Sequence, residues 1–314
     1  MEEKIELEEP KKWLSFKDQI EHLKVLGLNF HDENKAIHYL KHINYYRLSG
    51  YFYPFRQNDP LTSDKKINDF IEDSYFEDIK ELYIFDKELR LLALDALERI
   101  EIAIRTNIAH SLGKYDPLAY REPKYFSKNF RTGKYLSWVS KSYGQLNRSK
   151  NELAIKHHLE KYDGIPIWVI AETWDFGTMS NLFAGMQNND KNHIAKLYHI
   201  KEGKHLESYL HAFNVIRNTA AHHSRLWNKS IPVKGTEKGF QDPQWKEISN
   251  NCPFFYFCLM KKMLDVISPN STWGERFISL LDKFPKVQNN AISLADFGLV
   301  DMKHIDEWDL WNNK

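Results

Sequence analysis

No glycine or proline interrupts the chain between Phe76 and Leu112. Across that stretch Ile79, Leu82, Leu89, Leu92, Leu97, Ile100, Ile104 and Ile108 recur at helical spacing. Gly113 stands where such a helix would end. Unbroken, it would span about 55 Å at 1.5 Å per residue; a bend, or two helices in place of one, is the alternative. Alternating strand patterns bounded by turn signals are hard to find elsewhere. Thirteen glycines and eleven prolines are few for 314 residues, and aromatics reach 14%. An all-α fold packed through large side chains is therefore expected.

The remaining segments fit that reading. Residues 1–12 are a polar leader without the apolar core of a signal peptide. Ile20, Leu23 and Leu26 share a helical face before Gly27, and Asp32 can cap a second helix carrying Ala36, Ile37, Leu40 and Ile43. Residues 57–74 read as a polar loop with turn signals at Asn58-Asp59-Pro60. Further helices are expected at 150–162, 167–186, 189–199, 203–223, 253–268 and 273–284, with a loop at 229–249. The tail beyond 285 is mixed and carries no assignment.

Lys and Arg number 44 against 43 Asp and Glu, for a net charge of +1. Any nucleic-acid surface must therefore be local. Residues 114–150 are the best such candidate, with Arg121, Lys124, Lys128, Arg131, Lys134, Lys141, Arg148 and Lys150 interleaved with Tyr120, Tyr125, Phe126, Phe130, Tyr135 and Trp138. Cations can meet phosphates there while aromatic faces stack bases. The competing reading is a solvated irregular segment with its aromatics turned inward. Cys252 and Cys258 form neither a disulfide framework nor a zinc spacing. No run approaches the roughly 18 apolar residues of a membrane span, and a reduced cytoplasmic protein is expected.

An Arg-x4-His pattern occurs twice, as RTNIAH (105–110) and RNTAAH (217–222). On the second helix, Leu206, Leu210, Phe213, Ile216 and Ala220 make an apolar stripe. Measured from Ile216, Arg217 projects at about 100°, Asn214 at 160°, Arg225 at 180°, Asn218 at 200°, His211 at 220° and His222 at 240°. One side thus collects Arg, Asn and His residues that a core helix would not need. His223 projects within about 20° of Ile216 and reads as a buried structural histidine. The first copy is less clean: Asn107 falls on the apolar side and the helix looks buried nearly all round, which favours structural use of Arg105 and His110.

A histidine can exchange a proton near neutral pH, and an arginine can bind phosphate and stabilise charge developing on it. RNA carries its own nucleophile, the 2′-hydroxyl. Arg217, His222 and a positioning Asn218 could thus cleave RNA without a metal, leaving a 2′,3′-cyclic phosphate and a 5′-hydroxyl. Arg217 and His222 lie about 140° apart in projection, so a complete site wants a helix irregularity, the first motif, or a second copy in a homodimer.

Two other constellations compete. His31, Asp32, His38 and His42 include a one-face i, i+4 histidine pair but lack the glutamate placement of a metalloprotease helix. They read as surface and boundary histidines, and no metal or cofactor is expected. Glu172 and Asp175 could share a helix face, with capping or a salt bridge to an arginine such as Arg47 or Arg99 as the plainer role.

Four segments together resemble the Abi-like abortive-infection family, typified by AbiD and AbiF proteins: INYYRLSGYFYPFR (43–56), FEDIKELYIFDKELRLLALDALERIEIAIR (76–105), PIWVIAETWDFGTMSNLF (166–183) and VIRNTAAHHSRLWN (215–228). The resemblance covers about residues 13–230 and leaves 231–314 as a helical extension and tail packed on that domain. It implies a HEPN-like helical bundle with additional N- and C-terminal helices, and the R-x4–6-H motif of metal-independent RNases. Arg217 and His222 then map onto the motif and Asn218 onto the polar residue after its arginine. His223 is an alternative match, Arg105 corresponds to an arginine of the first block, and Arg225, Asn214 and His110 are possible supporting residues. The implied activity is phage defence by RNA cleavage, or non-catalytic holding of a small structured RNA or antitoxin by the same fold.

Overall fold

A computed structural model describes residues 12–62 and 65–312. The leader expected over 1–12 lies, but for Lys12, outside the described residues. The chain divides into two compact units, one formed by residues 1–85 with 284–293 and the other by 86–283 with 294–314.

The first unit starts with α1 (Phe16–Val25), where Ser15 and Asp18 close a capping box. Asp32 caps α2 (Glu33–Ile43) by accepting from the Lys35 N–H, as expected, and α3 (Tyr45–Phe52) follows. Where a loop is expected over 57–74, β1 (Arg56–Asn58) and β2 (Lys66–Phe70) form an antiparallel ribbon pairing Arg56 with Phe70 and Asn58 with Lys66. Strands this short leave too few residues for a period-two pattern. Asp59 organises the turn between them, accepting from the Leu61 N–H at 2.8 Å and the Thr62 hydroxyl at 2.9 Å.

Residues Phe76–Gly113 form one unbroken 38-residue helix, α4, so the single-helix alternative holds. Its first turns belong to the first unit and the part from Asp86 onward to the second. The expectation that its later part is buried all round is corrected: Leu91 is 57% and Ile102 50% exposed, and His110 is exposed.

In the second unit, residues 114–150 are more ordered than expected, with α5 (Lys128–Gly133) and α6 (Tyr135–Arg148). Tyr120, Phe126, Phe130, Tyr135 and Trp138 are all buried while the cations of the segment are exposed, so the inward-aromatic reading is the correct one. α7 (Leu153–Lys161) follows, then α8 (Ile167–Ile170), a 3-10 turn at Ala171–Thr173 and α9 (Phe176–Gly185). The single helix expected over 167–186 is thus broken at Trp174-Asp175, because the Asp175 carboxylate caps a new helix by accepting from the Thr178 N–H at 2.6 Å. α10 (Asn188–Leu197) and α11 (Gly203–Ala221) pack together and α11 lies along α9. α12 (Pro253–Ile267), α13 (Trp273–Leu281), α14 (Lys303–Asp306) and α15 (Asp309–Asn312) complete the unit.

The tail is built in by aromatic packing: Trp311 stacks on Phe277 at 5.0 Å and Trp308 meets Trp245 edge-on at 5.0 Å. Among the described residues, fifteen α-helices stand against one two-stranded ribbon, a mostly-α fold, and no helix is long and apolar enough to cross a membrane.

Candidate functional site

Both Arg-x4-His copies lie in the second unit, and the charges of both arginines act on one carboxyl, that of Glu101. On α4, Arg105 reaches across to Glu101 one turn back. Its guanidinium also donates to the Trp174 carbonyl at 2.7 Å and to Glu172 at 3.4 Å. Arg105 is therefore a clamp between α4 and the turn before α9. The Glu172 partner is this arginine, whereas Arg99 is taken by Asp95 at 2.7 Å.

Arg217 on α11 is half-buried, and its guanidinium acts on the same carboxyl: burial pushes Glu101 above the usual carboxylate range, while the charges of Arg105 and Arg217 pull it back. Asp175 adds like charge to Glu101 from the start of α9. Burial also acts on Asp175 in the upward direction, but the Thr178 N–H and the Lys141 ammonium at 3.0 Å together hold it below its ordinary value. Asn214 closes the gap between α11 and α9: a Cβ at Gly177 would stand 3.4 Å from its side-chain oxygen. Arg217 itself donates to the Asn218 side-chain oxygen at 3.3 Å. Arg105, Glu101 and Glu172 thus form one ion-pair cluster, and the charges of Arg217 and of Asp175, itself paired with Lys141, bear on its Glu101.

His222 lies at the end of this array. It is the C-cap of α11, exposed, with its N–H bonded to the Asn218 carbonyl at 3.0 Å. Asn218 is exposed beside it on the same helical face. His110, at the end of α4, is exposed, and neither histidine ring makes a hydrogen bond among the described residues.

The reading of His223 as a buried helical residue is corrected. The helix expected to 223 stops at Ala221, and His223 is exposed with a left-handed φ of 57°. Its N–H donates to the Ala220 carbonyl at 3.0 Å and the Ser224 N–H to Thr219 at 2.9 Å, the paired bonds of a Schellman turn. A projection at 100° per residue fails once φ changes sign. Arg225 lies beyond the turn and is half-buried.

What stops the helix is a carboxylate absent from the sequence reading. Asp86, wholly buried on α4, accepts from the Leu226 N–H at 3.1 Å and the Trp227 N–H at 2.8 Å, and pairs with buried Arg90. It ties down the segment after His223 and forces the chain to leave the α11 axis. Asp86 and Arg90 did leave a signal, an i, i+4 pair with Asp86 on the apolar stripe between Leu82 and Leu89. Glu101 and Arg105 show the same spacing.

The metal alternative finds no support in geometry. His31, His38 and His42 are exposed, the His38 and His42 rings lie 4.6 Å apart and tilted by 55°, and no cluster that could hold a metal occurs among the described residues. Both cysteines are free, Cys258 buried and Cys252 partly so.

A family model described as Abi-like protein matches residues 38–228. The chain belongs to the Abi-like protein family. Neither the curated proteins nor the solved structures yield a match. The matched span of this Abi-like chain includes Asp86, Glu101, Arg105, Asp175 and the whole Arg217–His222 segment, and it ends at Asn228, just past the Asp86-anchored turn.

Proposed function

We propose that this Abi-like protein acts in phage defence in the cytoplasm as a metal-independent endoribonuclease of the HEPN type, with Arg217, Asn218 and His222 as its working residues. The observation that carries this is the exposed end of α11, where Asn218 and His222 share a face beside the Arg217 guanidinium. In the reaction a histidine takes the proton of the RNA 2′-hydroxyl, and the 2′-oxygen attacks the adjacent phosphorus. Arg217 stabilises the charge on the phosphoryl oxygens. The bond from phosphorus to the 5′-oxygen breaks, that oxygen takes a proton, and a 2′,3′-cyclic phosphate remains. One histidine accepts and another donates, so two copies of His222 across a two-fold axis would complete the site, and we propose a homodimer. The Glu101 carboxyl, paired with Arg105, attracts the Arg217 guanidinium electrostatically and would orient it.

A second reading, a non-catalytic module holding a small RNA or an antitoxin, uses the same surface. The two separate in an RNase assay run in EDTA. The wild type should cut RNA to cyclic-phosphate ends, and His222→Ala should lose about 10²- to 10⁴-fold in rate while still binding RNA. A wild type that binds RNA without cutting it would leave the binding module in place of the enzyme.

A further inference from the structure

A cavity of about 560 Å³ opens beside α9, lined by Lys128, Lys134, Lys191, Asn181, Asn188 and Glu207 among others. Glu207, the one carboxylate among its described lining residues, is occupied by Lys191 at 2.8 Å. Lys191 is itself 8% exposed, so that ion pair forms part of the wall. Lys128 and Lys134 are exposed and form no ion pair among the described residues. The cleft therefore carries uncompensated positive charge on a protein whose net charge is only +1.

The cleft shares α11 with the motif, through Glu207, and borders α9, through Asn181. The Asn181 amide donates to the Gly177 carbonyl at 2.8 Å, and Gly177 lies against Asn214. On α11, Glu207, His211, Asn214, Asn218 and His222 follow one another at spacings of three and four residues, a single face. From Glu207 to His222 that face is about 20 Å long at 1.5 Å per residue. The aromatic ring in the cleft, Phe130, is only 5% exposed, so no platform for base stacking is on offer. Cations and amides without stacking surfaces read a phosphate backbone and not a base sequence.

We infer that the Lys128–Lys134–Lys191 cleft binds the phosphodiester backbone of single-stranded RNA and leads the strand along α9 and α11 to His222. This rests on RNA being the substrate of the motif. The test uses the full chain, a short 2′-O-methyl oligonucleotide that cannot be cleaved, and the Lys128→Ala/Lys134→Ala variant. Binding should weaken in the variant, and the slope of log K against log salt should fall by about 1.4, two single-strand phosphate contacts. Cleavage of a dinucleotide, too short to reach the cleft, should be unchanged. Equal affinity and slope in wild type and variant would overturn the inference, as would binding of an oligo-glutamate peptide that the variant alone loses. Loss of oligonucleotide binding in the lysine variant, alongside unchanged cleavage in His222→Ala, would keep the cleft and remove the catalytic reading.

Discussion

Replacing Asp86 by alanine removes a carboxylate that is 0% exposed from Arg90, 3% exposed, and from the backbone N–H groups of Leu226 and Trp227. Breaking a buried ion pair by deleting one partner costs about 3–5 kcal/mol, because the other charge keeps its desolvation penalty. Each buried N–H left without its acceptor adds about 1–3 kcal/mol, although terms within one network do not sum. A loss of about 4 kcal/mol is expected, which for a body of this size lowers Tm by roughly 10 °C. Urea denaturation followed by tryptophan fluorescence measures it, and Asp86→Asn, which keeps one acceptor oxygen, should cost less. The loss should be local as well as global. Hydrogen exchange at Leu226 and Trp227 should rise in the variant, and the His222 turn should lose its fixed position even where the protein stays folded. A cost under about 1 kcal/mol, well short of a broken buried pair, would refute the argument that Asp86 holds this turn.

Two further outcomes follow from local geometry. His223 holds a left-handed φ of 57°, so a β-branched residue there should lower stability in thermal melts. Asp175 is held below its ordinary value of 3.8, so the stability it contributes is complete above that value and disappears as pH falls through its lower folded value. Asp175→Asn keeps a good N-cap, so the gap between wild type and variant in chemical denaturation should close on acidification; a gap that stays level would contradict the charge argument.

The outcome at the end of α11 separates what local sequence can say from what it cannot. Ser15, Asp32 and the uninterrupted run to Gly113 specify their helices through neighbours within a turn or two, and the structure follows them closely. The β-ribbon was illegible because three and five residues are too few for a pattern. The inward aromatics of 114–150 were an open choice, since a basic segment with many rings fits either a stacking surface or an amphipathic helix until its partners are known.

By itself, the sequence determined a mostly helical chain of the Abi-like family with a polar Arg-Asn-His face on one helix, because helical period and motif spacing are properties of neighbouring residues. Tertiary structure alone decided that Arg105 and Arg217 act on the same Glu101, and that His223 turns out of the helix it appeared to continue. Both depend on pairs brought together across more than a hundred residues: Glu101 with Arg217, and Asp86 with Leu226 and Trp227. A buried carboxylate gains enough from a distant N–H to overrule a local preference for one more turn of helix.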